Sequence, residues 1–263
     1  MNRQWRGVLA SLITAFAFSV PALGAEVSLN KTLLPADQGW VENGTSYITL
    51  RALAQHTGYQ LTWDGQKAIL QGEDLLLEAA PGALYISSNQ RALYVPARVQ
   101  VVEGKTALPL RVVAEALGGE LTWDGSTAHW SFSQTAPARA SYPEEDLYWL
   151  ARVISAESRG ESLRGQIAVG NVVLNRVADS QFPNTIKGVV FDRKNGVQFE
   201  PVSNGTIYNE PTQQSLLAAK LCLEGATVVG DCLYFYAPAL SSGTWIANNR
   251  TYYTTIGCHK FYL

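Results

Sequence analysis

Leu61-Thr62-Trp63-Asp64-Gly65 recurs as Leu121-Thr122-Trp123-Asp124-Gly125, 60 residues further on. Thr49-Leu50-Arg51-Ala52-Leu53-Ala54 keeps the same offset from Pro109-Leu110-Arg111-Val112-Val113-Ala114, and Gly58 keeps it from Gly118. One spacing shared by several residue types marks an internal repeat. Each copy reads as a short amphipathic helix, a glycine stop, a strand and a tight turn. In the second copy Val112, Val113, Ala116 and Leu117 fall at helical spacing before Gly118. Leu-Thr-Trp then alternates as a half-buried strand, and Asp-Gly supplies the positive φ angles of a hairpin turn. Ala83-Leu84-Tyr85-Ile86 alternates as a further strand. Residues 26–132 are therefore expected to form a small repeated α+β domain.

Outward from the repeat, the chain changes character on both sides. Residues 133–142 begin Ser-Gln-Thr-Ala-Pro-Ala-Arg-Ala-Ser, small and polar with one proline, and read as a linker. At the other end, Arg3 and Arg6 precede an apolar run from Val8 to Val20, then Pro21-Ala22-Leu23-Gly24-Ala25. That is the order of a secretory signal peptide over 1–24, cut after Gly24. The alternative, an uncleaved anchor, asks for about 20 apolar residues, more than this run has. No later stretch reads as a membrane span.

Hydrophobic content of 47% against 16% charged describes a chain able to bury cores. A length of 263 residues suits two modest domains. Net charge is −2, and loss of Arg3 and Arg6 with the signal would take it to −4. Nucleic acid is not an expected partner, since that needs clustered Lys and Arg.

From residue 143 to 263 the pattern turns to longer helices. Pro143-Glu144-Glu145-Asp146 places proline and three acids at the positive end of a helix dipole. Leu147, Leu150, Ile154 and Glu157 then share one face, and Gly160 ends the run. A carboxyl that continues an apolar stripe points toward the core or a cleft, and desolvation raises its pKa. The negative end of the helix dipole pushes the same way. Glu157 is thus a candidate general acid; the alternative is a Glu paired with Arg152 or Arg159, or turned to water. The next helix, about 162–178, carries Asn171 and Asn175 on one side. These amides either bind sugar hydroxyls and acetamido groups or tie down neighbouring loops. Gly170 in mid-helix suggests close approach of another backbone.

Cys222, Cys232 and Cys258 are the three cysteines. In an oxidising compartment one disulfide and one thiol are expected, with Cys232 and Cys258 favoured because they flank segments that read as antiparallel strands. Three buried thiols are the alternative. Only His259 is near, and the spacing matches no metal-ligand pattern, so no metal is expected.

Ile154-Ser155-Ala156-Glu157-Ser158-Arg159-Gly160-Glu161, followed by Gly165-Gln166-Ile167-Ala168-Val169-Gly170-Asn171-Val172-Val173-Leu174-Asn175-Arg176-Val177, strongly resembles the spore cortex-lytic cell-wall hydrolases of the SleB and CwlJ type. Phe182-Pro183-Asn184-Thr185-Ile186, Gln198-Phe199-Glu200-Pro201-Val202, Leu233-Tyr234-Phe235-Tyr236-Ala237-Pro238 and Ile256-Gly257-Cys258-His259-Lys260-Phe261 extend the resemblance in order over 146–263. The repeated half resembles the N-terminal domain of copper amine oxidases, an accessory module rather than an oxidase, acting as a wall or coat anchor or as a spacer.

The resemblance implies an α+β chain: the repeat module, then a mainly helical lysozyme-like catalytic domain with a C-terminal β-hairpin. It implies Glu157 as the one catalytic acid of a lytic transglycosylase, with no cofactor. Gln198, Phe199 and Tyr236 are implied to line the sugar groove, beside Asn171 and Asn175. Glu161 is the backup second acid, though the start of the next helix is the preferred role for it. Glu200 is not read as catalytic. The expected substrate is the peptidoglycan of spore cortex, met after export, with a regulatory spore protein left unidentified. The alternatives are a vegetative wall hydrolase and a catalytically silent glycan-binding coat protein.

Overall fold

The computed structural model describes residues 25–132, 139–194, 196–241 and 244–263. The expected signal peptide and most of the expected linker lie outside the described residues.

The N-terminal half runs β1 (Glu26–Leu29), β2 (Thr32–Leu33), β3 (Gly39–Glu42), β4 (Thr45–Thr49), α1 (Leu50–Thr57), β5 (Gln60–Trp63), β6 (Ala68–Gln71), β7 (Leu76–Ala79), β8 (Tyr85–Ser88) and β9 (Arg91–Tyr94). It continues with β10 (Gln100–Val102), β11 (Lys105–Pro109), α2 (Leu110–Leu117), β12 (Glu120–Trp123) and β13 (Thr127–Ser131). The repeat is visible in the pairing. β4 and β11 lie antiparallel with Ile48 opposite Leu108, residues that are themselves 60 apart. The two copies therefore meet about an approximate twofold axis through that pair. They are not equal elsewhere. The first copy leads into a five-stranded sheet, β5-β6-β7-β8-β9, while the second is completed by β1, which pairs in parallel with β13.

The Asp-Gly turns form as hairpins, but the residues divide the work differently from the sequence expectation. Only Gly65 and Gly125 take positive φ, at 98° and 100°. Asp64 and Asp124 instead accept from the backbone N–H groups two and three positions on, Gln66 and Lys67 in one turn and Ser126 and Thr127 in the other, an Asx turn. Thr49 caps α1 by accepting from the Ala52 N–H at 3.1 Å, whereas α2 has Pro109 there and no side-chain cap. Leu50, Leu53, Leu110, Val113 and Trp130 fill the core between helices and sheets. Trp63 and Trp123 point outward, 55% and 53% exposed, so β5 and β12 bury their leucines only in part.

The C-terminal half is mainly helical: α3 (Glu144–Ser158), α4 (Leu163–Ala178), α5 (Ile186–Val190), α6 (Glu200–Asn204), α7 (Gln213–Leu223), then β14 (Tyr234–Tyr236), α8 (Thr244–Asn249), β15 (Tyr252–Ile256) and β16 (His259–Tyr262). Its core gathers Leu150, Val153 and Ile154 of α3, Ile167 and Val172 of α4, and Ala218 and Leu221 of α7. Ser162 and Thr212 cap α4 and α7 through their hydroxyls. Gly170 permits a side-chain approach rather than a backbone one: a β-carbon there would sit 2.6 Å from the Cys222 Sγ and 2.8 Å from Ile154 Cδ1. The hairpin β15–β16 is joined by β14 into a sheet of order β14-β16-β15.

That sheet removes the expected Cys232–Cys258 disulfide. All three cysteines are free, with Cys222 and Cys232 buried and Cys258 exposed. β14 pairs with β16 so that Tyr234 faces Tyr262 and Tyr236 faces Lys260. Position 258 then falls opposite 238, about 20 Å along the strand from 232 at ~3.3 Å per residue. A disulfide needs Cα atoms within about 7 Å. The strand segments were legible, but their register was not.

Candidate active site

Two helices end in a charged residue on their buried stripe. Glu157 occupies the last turn of α3, and Arg176 the last turn of α4, four residues after the buried Val172. Because α3 and α4 pack together, both side chains enter one cavity of about 860 Å³. The segment opening α6 adds Gln198 and Glu200, β14 adds Tyr234 and Tyr236, and β16 adds His259. Trp245 of α8 and the neighbouring Arg250 close the aromatic side.

Glu157 is pushed up to about 7, by burial first and then by the negative charge of Glu200, with Arg176 opposing. A carboxyl raised this far keeps protons to give near neutral pH, which suits proton donation. The alternative partner Arg152 is engaged elsewhere: it meets Glu210 at 2.6 Å and lies 3.7 Å over the Tyr148 ring.

Arg176 is 5% exposed, and burial pulls its guanidinium down to about 10. Its Nε donates to the Leu233 carbonyl at 2.7 Å, while Nη1 has no protein partner. Phe182, Phe199 and Tyr234 surround the guanidinium at 5.0 to 5.5 Å. Across Tyr234, Arg250 donates to that ring's hydroxyl at 2.8 Å and stacks 4.4 Å over its face. The cavity therefore pairs one protonatable acid with guanidinium donors and aromatic faces, the complement of a sugar with polar edges and apolar faces.

Of the residues expected in the groove, Glu157, Gln198 and Tyr236 line this cavity. Phe199 does not: it is 2% exposed and packs beneath, against Phe235 and Arg176. Asn171 and Asn175 are likewise corrected, from groove to scaffold. Asn171 donates to the Ala226 carbonyl and accepts from the Val228 N–H. Asn175 donates to the carbonyls of Gly230 and Cys232 at 2.7 and 2.9 Å. Together they fasten the 226–232 loop to α4. Glu161 is neither in the cavity nor the cap of α4, which is Ser162. Its carboxylate accepts from the Cys258 N–H at 3.1 Å and stands 3.7 Å from His259 Nδ1, stapling the β15–β16 turn.

Glu200, not read as catalytic from the sequence, does stand in the cavity. Arg176, Tyr234, Arg250, Trp245 and His259 were not named as site residues. A signal for Arg176 existed, since a cation on an apolar helical stripe is as anomalous as the acid on α3. Nothing comparable marked Trp245 or Arg250, which arrive from the C-terminal region by packing alone.

Comparison with known proteins follows the same division. Residues 160–262 match the family described as Cell Wall Hydrolase, and residues 27–131 match the copper amine oxidase N-terminal domain. A spore cortex-lytic enzyme of Bacillus cereus is 36% identical over 120 residues, covering 46% of this chain and 45% of that one. The chain thus spans less than half the length of the curated cortex-lytic relatives it matches. The cell wall hydrolase CwlJ of Oceanobacillus iheyensis is 31% identical over 107 residues, 38% of this chain and 74% of that protein. The solved catalytic domain of the germination-specific lytic transglycosylase SleB from Bacillus anthracis is 34% identical and covered in full, over 48% of this chain, with a TM-score of 0.43. With its glutamate-bearing helix followed by the matched region 160–262, the chain belongs to the cell wall hydrolase family of the SleB and CwlJ type.

Proposed function

We propose that this protein cleaves the glycan strands of peptidoglycan as a lytic transglycosylase, acting on spore cortex during germination. The observation that carries the reading is the half-buried Glu157 carboxyl, raised to about 7, in a cavity edged by aromatic rings and guanidinium donors. Its proton passes to the oxygen linking N-acetylmuramic acid to the next sugar, the C1–O bond breaks, and the second sugar leaves with that proton. The carboxylate then takes a proton from the muramic 6-hydroxyl, whose oxygen closes on C1 to give a 1,6-anhydro end. Arg176 Nη1, buried without a protein partner, is placed to donate to a substrate oxygen beside the acid.

The setting proposed is outside the cytoplasm, with residues 1–24 as a signal peptide, 26–132 as accessory domain and 143–263 as catalytic domain. Family membership and the cortex-lytic relatives support that setting. Comparing digestion of cortex fragments with vegetative wall would separate it from vegetative remodelling.

Glu200 favours a second reading, hydrolysis, in which a second carboxylate activates water. Mass spectrometry of released muropeptides decides between them: anhydro ends are one water lighter than reducing ends. On decoated spores, Glu157→Gln is expected to slow cortex release by about 10²- to 10⁴-fold. Undiminished release would refute the acid assignment, and would favour neither chemistry.

A further inference from the structure

A second cleft, of about 640 Å³, opens between the two halves and has no part in the site above. The N-terminal half contributes Tyr94 of β9 and Arg98, just beyond it; the C-terminal half contributes Ser162 and Arg164 at the start of α4, Gly230, and Tyr253 of β15. The two halves are joined by a largely buried ion pair. Arg91 Nε and Nη2 both donate to Glu224 Oε2 at 3.0 and 2.9 Å, and Arg91 Nη1 donates to the Glu115 carbonyl. Ala92, next along β9, packs into the C-terminal hydrophobic core rather than its own.

The cleft is electropositive by construction. Arg98 and Arg164 line it together with the phenols Tyr94 and Tyr253, and Arg98 Nη1 also donates to the Gly82 carbonyl at 2.8 Å. Among the described residues lining it there is no carboxylate. The neighbouring acid Glu161 is turned away to the Cys258 N–H. The first turn of α4 adds the positive end of its dipole. Paired guanidiniums with phenol hydroxyls are the donor set that carboxylates take, by forked charge-assisted hydrogen bonds.

Position relative to the catalytic cavity narrows the ligand. Arg164 and Arg176 lie on one helix, about 18 Å apart along its axis at ~1.5 Å per residue. A four-residue peptide reaches about 14 Å when extended, and the lactyl ether of muramic acid adds to that. We propose that the Arg98–Arg164 cleft binds the carboxylates of a peptidoglycan stem peptide while its glycan occupies the Glu157 cavity, so that both halves read the same substrate. This inference rests on the peptidoglycan reading of the cavity.

The test uses the full chain and a synthetic stem tetrapeptide, which has no glycosidic bond, titrated by calorimetry. Saturable binding is expected, weakened by about tenfold or more both in Arg98→Gln/Arg164→Gln and when the peptide carboxylates are amidated. The amidated arm needs no variant to fold, and circular dichroism of the double variant guards the other. Absent binding, or binding indifferent to amidation, overturns the proposal. So does stronger displacement by a phosphate-rich wall polymer than by free tetrapeptide. Failure of the glycan reading would be seen separately, in undiminished digestion by Glu157→Gln.

Discussion

A carboxyl that titrates near 7 when folded and at an ordinary 4.5 when unfolded sets catalysis against stability. Between those values the folded chain holds more protons than the unfolded one, so stability falls as pH rises through that window and the loss is complete above 7. Glu157→Gln, which slows cortex release, should therefore raise the unfolding free energy at pH 8 by about 2 kcal/mol, seen as a higher Tm. At pH 4 the two proteins should unfold alike. Glu200 raises Glu157 by charge repulsion, so Glu200→Gln should move the alkaline limb of the activity profile to lower pH. Survival of that shifted profile would mark Glu200 as a tuner of the acid, and loss of activity at every pH would mark it as the second carboxylate of a hydrolase. The stripe on α3 made Glu157 legible in the sequence. The depth of its burial and the presence of Glu200 were not, because both depend on which segments close over the helix end.

Among elements, α4 does most of the connecting. One face meets α3 across Gly170, where an added methyl has no room against Cys222 and Ile154. Gly170→Ala should cost about 1–2 kcal/mol, overpacking outweighing the ~1 kcal/mol gain in helix propensity. Adding Cys222→Ala should recover most of it in a denaturant titration. Another side of α4 holds the 226–232 loop through Asn171 and Asn175. Asn175→Ala should lower Tm by leaving two carbonyls unpaired, at about 1–2 kcal/mol, with KM for glycan unchanged; a raised KM would return the amide to the groove. The i, i+4 spacing placed both amides on one side of the helix. It could not say what faced that side.

At the level of the whole molecule, the two halves join through the Arg91–Glu224 pair, whose side chains are 13% and 9% exposed. Arg91→Ala leaves Glu224 buried without its partner and should destabilise the protein by about 3 kcal/mol. Differential scanning calorimetry should show the two halves melting apart in the variant and together in the parent. The free cysteines predict a second outcome: a reducing agent should leave Tm unchanged, since no cross-link constrains the unfolded chain.

The sequence by itself determined what is local and periodic. Its repeat, helix stripes, Asp-Gly turns and ordered family motifs follow from chain spacing and residue chemistry, and they place Glu157 at the end of its helix. Tertiary structure alone decided strand register, which keeps Cys232 from Cys258, and what lies opposite each helix face, which made Asn171 and Asn175 loop anchors and brought Arg176, Glu200 and Arg250 around the acid. The reason is physical: a side chain's direction is set by its own backbone, whereas its desolvation and partners are set by segments that packing brings from far along the chain.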